Sequence, residues 1–298
     1  MLIARLIADP TRMETALERA GGMLAEKGWA LAGAQMLEFC GDVLEIDFAA
    51  KSGEGANPAD VRAILDTCFS PCDLLMSEGE IAVPQLFVSD MDSTMIGQEC
   101  IDELADFAGL KEKIADITER AMQGELDFVS ALTERVGLLA GLEESAINRC
   151  LDERIRPMPG ARTLVETLKS RGCRTVLVTG GFHSFADPVA DMLGFERVVG
   201  NVLGVADGRL TGKLAAAIVG SGTKLATLEE EMARLGSGAL SLATGDGAND
   251  IPMIEAADFG VAYYAKPKAK AAANGFVDRG DLTSVLKLLG VPRGEWVE

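Results

Sequence analysis

The sequence predicts an α/β protein made of two parts, and three patterns indicate it. Apolar runs of strand length alternate with helical segments from Gln85 onward, which is typical of a doubly wound parallel sheet. Residues from about 97 to 156 interrupt this alternation with helical patterns alone, so we expect a helical cap inserted after the first strand of the sheet. Residues 1–80 follow the order strand, helix, strand, strand, helix, strand, which predicts a ferredoxin-like α+β module. The expected domains are therefore 1–80 and 81–298.

Composition and charge set the broad class of the protein. The chain has 298 residues, of which 48% are hydrophobic and 25% are charged, and these values are ordinary for a globular protein with a sizeable core. Its formal charge of -18 repels phosphate backbones, so nucleic acid is not an expected partner. No apolar run approaches the roughly 20 residues that span a bilayer, so no membrane partner is expected either.

The cysteines and the first ten residues indicate in which cellular compartment the protein is expected. The six cysteines are scattered without a C-x-x-C pair and His183 is the one histidine, so the chain offers no zinc-ligand cluster. Residues 1–10 have neither the basic start nor the long apolar stretch of a secretory signal. Both observations favour reduced thiols in a cytoplasmic protein.

The elements of residues 1–80 follow from local signals. Pro10 and Pro58 each mark the start of a helix, because apolar residues recur behind them with helical spacing. The order of elements resembles that of the ACT-type regulatory modules found on amino-acid enzymes. This resemblance leaves three roles open, namely binding serine, pairing two copies into a homodimer, or neither. The predicted strands are 2–8, 29–38, 43–48 and 72–76.

The second part contains four further predicted strands with helices between them. A doubly wound sheet binds its ligands at the carboxyl ends of its strands, so functional residues are expected just after each strand. A cap inserted after the first of these strands lies over that edge, where a lid belongs. The strands are 86–89, 175–178, 240–243 and 259–261, and the helices lie at about 160–171, 184–193, 222–235 and 249–257.

Two carboxylates follow the first strand of this sheet. Asp90 and Asp92 stand two residues apart, directly after the apolar run 86–89. Without a counter-charge they repel each other near the low-dielectric edge of a sheet. A hard cation with oxygen ligands, such as Mg²⁺, relieves that repulsion. The alternative is an acidic turn without function. The residues at the other strand ends distinguish a metal site from such a turn.

The other strand ends carry the groups that a phosphoryl site needs. Thr179 and Gly180 follow the second strand and offer a hydroxyl and backbone N–H groups to a phosphate. After the third strand, Asp246 and Asp250 add oxygen ligands within a glycine-containing string. Lys224, in the helix before that strand, supplies a positive charge for a phosphoryl group.

These motifs resemble those of the haloacid-dehalogenase superfamily of phosphatases, in the same order along the chain. Within the superfamily the chain is similar to the phosphoserine phosphatases, since Glu99 stands nine residues after Asp90 and a Thr-Gly-Gly-Phe string and an Asp-Gly-Arg-Leu-Thr-Gly string follow. The similarity extends over roughly residues 86–289. The motifs are Asp90-Met91-Asp92-Ser93-Thr94, Thr179-Gly180, Lys224 and Gly245-Asp246-Gly247-Ala248-Asn249-Asp250.

The resemblance implies hydrolysis of O-phospho-L-serine to L-serine and phosphate, the last step of serine biosynthesis, with one Mg²⁺ ion as cofactor. It implies that Asp90 is the nucleophile and forms an aspartyl-phosphate, while Asp92 protonates the leaving oxygen and later takes a proton from water. Mg²⁺ would be held by Asp90, the backbone carbonyl of Asp92 and Asp246, with Asp250 in support. The groups that would hold the phosphoryl oxygens are Thr179, Gly180 and Lys224, with Asn249 close by.

The cap is expected to select the substrate. Phe128 and Arg135 are seven residues apart and so share one face of a helix, where an arginine either reaches solvent or meets an anion. The resemblance implies that Arg135 pairs with the substrate carboxylate and that Glu99 takes its ammonium group. It also implies apolar contact from Met122 and Phe128, for which plain core packing is the alternative.

Two other functions stay open on the sequence. The same chemistry would serve another small phosphomonoester, such as phosphohomoserine or phosphothreonine, in a phosphatase or a phosphotransferase. The alternative from another class is a regulatory protein that only accepts a phosphoryl group. Asp92 and the helical cap speak against it, because an acceptor site needs neither an acid two residues on nor a lid.

Overall fold

The structure, a computed structural model, describes residues 2–38, 40–50, 57–122 and 126–298, without the side chains of 119, 121 and 122. Within these ranges one sheet of ten strands runs through the molecule, and a separate two-stranded hairpin lies beside it. No helix in the same ranges is both long enough and apolar enough to cross a bilayer.

The first four strands and two helices form the antiparallel end of the sheet. Strand β1 lies between β3 and β4 and is antiparallel to both. The second helix begins after Asn57, whose side chain accepts a hydrogen bond from the Ala59 N–H at 3.0 Å, and Pro58 occupies its first turn. The predicted succession of elements is confirmed, with β1 (Leu2–Ile7), α1 (Met13–Glu26), β2 (Trp29–Leu37), β3 (Cys40–Ala50), α2 (Pro58–Phe69) and β4 (Asp73–Ser77).

The chain leaves the sheet after β5 (Leu86–Ser89) and forms the helical cap where the sequence predicts it. The cap begins and ends in two segments that lie side by side, since the Gly97 N–H donates to the Arg156 carbonyl at 3.2 Å and Ile96 bridges Pro157 in antiparallel fashion. In the described part of the chain its helices are α3 (Cys100–Phe107), α4 (Lys111–Met122), α5 (Phe128–Leu138) and α6 (Ser145–Arg154).

The remaining strands complete a parallel, doubly wound sheet, which confirms the predicted fold class. Phe87 of β5 packs in the cluster that holds the apolar residues of α7 and α8, whereas Leu86 and Val88 pack on Leu228 of α9 and Met253 of α10. Helices therefore cover both faces. The elements are α7 (Ala161–Ser170), β6 (Arg174–Phe182), α8 (His183–Leu193), β7 (Arg197–Asn201), β8 (Leu203–Ala206), β9 (Arg209–Leu214), α9 (Ser221–Leu235), β10 (Ser241–Gly245), α10 (Ile251–Ala256), β11 (Phe259–Tyr263), α11 (Pro267–Ala272), β12 (Gly275–Val277) and α12 (Thr283–Leu288).

Strand β5 occupies the centre of the parallel part. It pairs with β10 on one side and β6 on the other, in the strand order β12-β11-β10-β5-β6-β7. The carboxyl ends of these three neighbouring strands therefore lie at one edge of the sheet. This edge is where the three predicted motifs meet.

The two parts of the chain share one sheet, which the sequence analysis did not anticipate. Strand β4 pairs antiparallel with β12. Asp73, at the start of β4, is fully buried. Its carboxylate accepts hydrogen bonds from the Ser284 hydroxyl at 2.7 Å and from three consecutive N–H groups after β12, those of Asp278, Arg279 and Gly280. The boundary near residue 80 is thus crossed by the sheet itself.

The β8–β9 hairpin lies against the cap. The Leu210 N–H donates to the Leu142 carbonyl at 2.8 Å, and the Gly141 N–H donates to the Leu210 carbonyl at the same distance. Gly212 has a φ of 72°, and a Cβ there would stand 2.8 Å from the Cβ of Ala140. The hairpin therefore approaches the end of α5 too closely to accommodate a side chain at this position.

Candidate active site

Three charged side chains meet where β5 and β10 end. Asp90 directly follows β5, and its N–H donates to the Thr244 carbonyl of β10 at 3.0 Å. Lys224 Nζ lies 2.6 Å from Asp90 Oδ1 and 2.6 Å from Asp250 Oδ1. All three side chains are buried. Burial acts to lower the pKa of Lys224, but the two carboxylates outweigh it and hold that pKa above its ordinary value, so the lysine is charged.

Asp246 completes a cluster of carboxylates. One carboxylate oxygen from each of Asp90, Asp246 and Asp250 lies within 4.8 Å of the others. Burial raises the pKa of Asp246 to about 6, against the opposing effect of Lys266. Burial, followed by the charge of Asp250, also raises the pKa of Asp90. When all three carboxylates are ionised, they and the one lysine leave two negative charges, so these oxygens fit a divalent cation.

The predicted metal ligands are thus partly brought together. Asp90 and Asp246 share the cluster, and Asp250, expected only as a support, lies in it as well. Among the described residues the cluster contains no side-chain oxygen of Asp92. The expectation that Asp92 offers its backbone carbonyl to the metal stays a prediction.

Glycine allows the segment after β10 to fold back on its own acids. A Cβ on Gly245 would stand 2.4 Å from Asp250 Cγ, and a Cβ on Gly247 would stand 2.4 Å from Asn249 Oδ1. The Gly247 N–H donates to Asp250 Oδ2 at 3.0 Å. This tight turn is the reason that Asp246 and Asp250 reach the same point from one short string.

Asp92 lies at a sharp turn after Asp90. Ser93 has a φ of 56°, and beyond the turn Asp92 Oδ1 accepts a hydrogen bond from the Cys100 N–H at 3.3 Å. Desolvation raises the pKa of Asp92 to about 7, with Glu99 adding to the rise and the Cys100 hydrogen bond opposing it. Its protonated and ionised forms are therefore close in free energy near neutral pH, which suits a group that gives and takes a proton.

Thr179 forms the wall beside Asp92. It is 1% exposed, and its Oγ1 accepts a hydrogen bond from the Gly181 N–H at 2.8 Å, so the hydroxyl proton is free to be donated elsewhere. The Cβ position of Gly181 is 3.2 Å from Asp92 Oδ2 and 3.1 Å from Thr179 Oγ1. The two side chains therefore stand on either side of one glycine.

Two residues at this edge were missed by the sequence analysis. Asn201, at the end of β7, donates from Nδ2 to the Gly180 carbonyl at 2.8 Å and accepts at Oδ1 from the Val219 N–H at 2.8 Å, so it ties two loops of the site together. Lys266 Nζ lies 3.8 Å from Asp246 Oδ2. Lys266 follows β11 in the chain. The expectation that functional residues lie just after a strand, which identified Asp90, could therefore have identified Lys266 as well.

Phe128 begins α5 at the opening of the site. Its side chain is 45% exposed, and its ring lies within 3.4 Å of the Cβ positions of both Gly180 and Gly220. Plain core packing is therefore ruled out for Phe128. Met122 ends α4, and its side chain lies outside the described residues, so its expected contact stays a prediction.

Arg135 and Glu99 carry opposite charges at the cap side of the site. Arg135 Nη2 donates to Asp102 Oδ1 at 2.6 Å, and its side chain is 19% exposed. Glu99 precedes α3, and its Oε1 accepts a hydrogen bond from the Ser93 hydroxyl at 2.8 Å. Neither side chain packs in the apolar core.

One cleft of about 1140 Å³ connects these groups. Core and cap both line it, whereas Lys224 and Asp250 lie behind its wall. A cleft of this size, with several titratable groups converging on it, is where a small ligand would bind. The predicted residues that line it are Asp90, Asp92, Glu99, Phe128, Arg135, Thr179, Gly180, Asp246 and Asn249.

Comparison with known proteins identifies the family. The model of the haloacid dehalogenase-like hydrolases matches residues 87–255, and a second model with the same description matches residues 222–289. Both matches contain residues of the cleft. The resemblance derived from the motifs is thereby confirmed.

Individual relatives narrow the family further. The phosphoserine phosphatase of Streptococcus thermophilus is 44% identical over 70% of this chain and 96% of its own length. That of Streptomyces coelicolor is 42% identical over 71% of this chain, which spans only 52% of that longer protein. A solved structure of a probable phosphoserine phosphatase from Vibrio cholerae is similar over 99% of this chain and 88% of its own, with 29% identity and a TM-score of 0.72. The chain therefore belongs to the haloacid dehalogenase-like hydrolases and, within them, to the phosphoserine phosphatase family.

Proposed function

We propose that the chain hydrolyses O-phospho-L-serine to L-serine and phosphate. One observation carries the proposal, which is that a single cleft joins Asp90, which is paired with the buried Lys224, to Glu99 and Arg135. The first pair suits phosphoryl transfer, and the second pair is complementary to the ammonium and carboxylate groups of an amino acid. The relatives named phosphoserine phosphatase support the same substrate.

The first step makes a phosphoryl-enzyme. A carboxylate oxygen of Asp90 attacks phosphorus, and the bond from phosphorus to the serine oxygen breaks. Asp92 gives its proton to that leaving oxygen, so serine departs as the neutral alcohol. Lys224 lies 2.6 Å from Asp90 Oδ1 and favours the ionised carboxylate that makes the attack.

The second step returns the enzyme to its starting state. Water attacks phosphorus, Asp92 takes a proton from that water, and the bond to Asp90 breaks to release phosphate. Thr179, the Gly180 N–H and Lys224 hold the phosphoryl oxygens, where negative charge is spread in the transition state, and Asn249 lies close to them.

A divalent cation fits the carboxylates of this site. Asp90, Asp246 and the backbone carbonyl of Asp92 would hold one Mg²⁺, with Asp250 supporting them. When bound, Mg²⁺ would offset the charge of the carboxylates and polarise the phosphoryl group. Six unpaired cysteines suit the reducing cytoplasm, which is the location that accompanies this proposal.

The test is phosphate release in the presence of Mg²⁺. We expect selective release from L-phosphoserine over phosphothreonine, phosphohomoserine and p-nitrophenyl phosphate. Asp90→Asn should lower the rate by at least about a thousandfold, because an amide cannot form the aspartyl-phosphate. Asp207→Asn is the matched control, since Asp207 sits at the exposed tip of the β8–β9 hairpin with a φ of 50° that asparagine also adopts.

The other outcomes separate the alternatives. Release from p-nitrophenyl phosphate but not from L-phosphoserine would keep the phosphatase chemistry and discard the roles of Glu99 and Arg135. Equal release from phosphohomoserine would broaden the substrate to small amino-acid phosphomonoesters. A phosphoryl-enzyme that persists for hours without turnover would favour the regulatory alternative.

A further inference from the structure

Arg135 is only partly satisfied by the protein. Its Nη2 donates to Asp102 Oδ1 at 2.6 Å, whereas its Nε is buried and has no hydrogen-bond partner in the described part of the chain. A buried N–H without a partner is unfavourable, so it favours any ligand that brings an acceptor. Arg135 lines the cleft, so a carboxylate bound there is such a ligand.

Asp102 holds Arg135 from the element that also carries Glu99. Glu99 immediately precedes α3, and Asp102 lies in the first turn of that helix, where its N–H donates to the Glu99 carbonyl at 3.0 Å. Arg135 comes from a different helix, α5. The ion pair therefore fixes Arg135 relative to Glu99 across two elements of the cap.

The ion pair is poorly suited to a purely structural role. The Asp102 side chain is 46% exposed, and ion pairs with such exposure contribute little to the stability of a fold. The ion pair can instead set the orientation of Arg135. An unrestrained arginine samples many rotamers, and its planar guanidinium must be aligned to donate hydrogen bonds to two carboxylate oxygens.

We propose that Asp102 is a positioning residue that orients Arg135 toward the carboxylate of an amino-acid substrate and so determines specificity for phosphomonoesters that carry one. This proposal rests on the proposed function, since it takes Arg135 as the carboxylate-binding group. Asp102 acts through Arg135 alone and takes no part in the transfer of the phosphoryl group.

The experiment compares two substrates that differ in one group. O-Phosphoethanolamine has the phosphate and ammonium groups of L-phosphoserine but lacks its carboxylate. For Asp102→Asn we expect KM for L-phosphoserine to rise about tenfold with kcat little changed, because a neutral amide holds the guanidinium more weakly than a carboxylate does. Both constants for O-phosphoethanolamine should stay at their wild-type values. Arg135→Lys should lose the same preference, and the double variant should lose little more.

The matched control lies one turn further along the same helix. Asp106 pairs with Arg154 of α6 instead of Arg135, so Asp106→Asn removes an equal charge from α3 and should leave the preference intact. The proposal is overturned if Asp102→Asn retains the wild-type preference while Arg135→Lys loses it. If the wild-type enzyme itself does not prefer L-phosphoserine to O-phosphoethanolamine, the proposed function is rejected, and the role of Asp102 is rejected with it. Thermal unfolding of each variant separates lost orientation from lost folding.

Discussion

Asp73 and Asp90 are both buried carboxylates, but their neighbours suit Asp73 to a structural role and Asp90 to a role in the site. The carboxylate of Asp73 accepts hydrogen bonds from three backbone N–H groups and one hydroxyl, and Asp73 does not line the cleft formed by the described residues. Asp90 faces a lysine and two further carboxylates at the cleft wall. A carboxylate saturated with neutral donors is inert, whereas one placed among like charges is ready to bind a cation or to react.

Replacement of Asp73 should weaken the whole fold. Asp73→Ala leaves several buried donors without an acceptor, so we expect the free energy of unfolding to fall by about 3 kcal/mol. Urea denaturation followed by circular dichroism measures this. Asp258→Ala is the control, because exposed Asp258 accepts from the N–H and hydroxyl of Ser241 and water can replace it at a cost of about 1 kcal/mol. Equal losses would contradict the structural role of Asp73.

Thiol reactivity offers a second check on single residues. Five of the six cysteines are buried and Cys68 is partly exposed. Burial also raises the pKa of Cys72 and Cys173 to about 12, which leaves almost no reactive thiolate near neutral pH. Ellman's reagent should therefore titrate one thiol in the native protein and six in denaturant. Cys68→Ser should abolish the native reaction, and a second fast-reacting thiol would contradict the packing.

Residues that line the cleft could be located from the sequence where they follow apolar strands. Asp90 and Asp246 directly follow buried parallel strands, and Thr179 lies near the carboxyl end of β6. Neighbouring strands of such a sheet end at one edge. Asn201 was missed because a lone asparagine after a short strand carries no local signal. Its contacts join residues 180 and 219, and that proximity exists only in the folded chain.

At the scale of elements, the short strand β12 explains why the shared sheet was not predicted from the sequence. Strand β12 has three residues, too few for a pattern of alternating polarity, so its pairing with β4 could not be inferred from the sequence. The order of elements in each part was predictable, because Pro10, Pro58 and the strand–helix alternation are local signals. The register between the two parts depends on partners some 200 residues apart, as in the Phe276–Leu74 pair.

The close contact between the β8–β9 hairpin and the cap leads to a testable prediction. Gly212→Ala should destabilise the protein by about 2 kcal/mol, since its φ is 72° and the new Cβ would clash with Ala140. Gly137→Ala, at an exposed position of α5 with open space around it, should stabilise the protein by about 1 kcal/mol because alanine favours the helix. Thermal unfolding should show shifts of opposite sign. Two shifts of the same sign would contradict the close approach of the hairpin.

At the scale of the whole molecule, the apolar clusters cross the boundary between the two parts. One cluster contains Leu6 and Phe48 of the first part together with Ile254 and Phe276 of the second. Arg62 of α2 also donates to the Ala271 carbonyl at 2.8 Å. Unfolding of either part would therefore expose apolar surface of the other, so the two parts are energetically coupled.

The chain offers one reporter for each part. It has two tryptophans, Trp29 in β2 and Trp296 near the C-terminal end. Trp29→Phe and Trp296→Phe leave a single fluorophore in one part or the other. We expect the two variants to unfold in urea at the same midpoint, once each is corrected for its own change in stability by circular dichroism. Separate midpoints for fluorescence and circular dichroism in either variant would show that the parts unfold independently.

The cap starts and finishes at one place, where Gly97 meets Arg156 and Ile96 meets Pro157. Because its two ends are neighbours, the insertion can be lengthened, shortened or exchanged without moving any strand of the sheet. Under the proposed function, the acids that act on phosphorus are then inherited with the sheet, while recognition of the rest of the substrate evolves in a separate stretch of the gene. A lineage built in this way can change what it dephosphorylates and retain the chemistry unchanged.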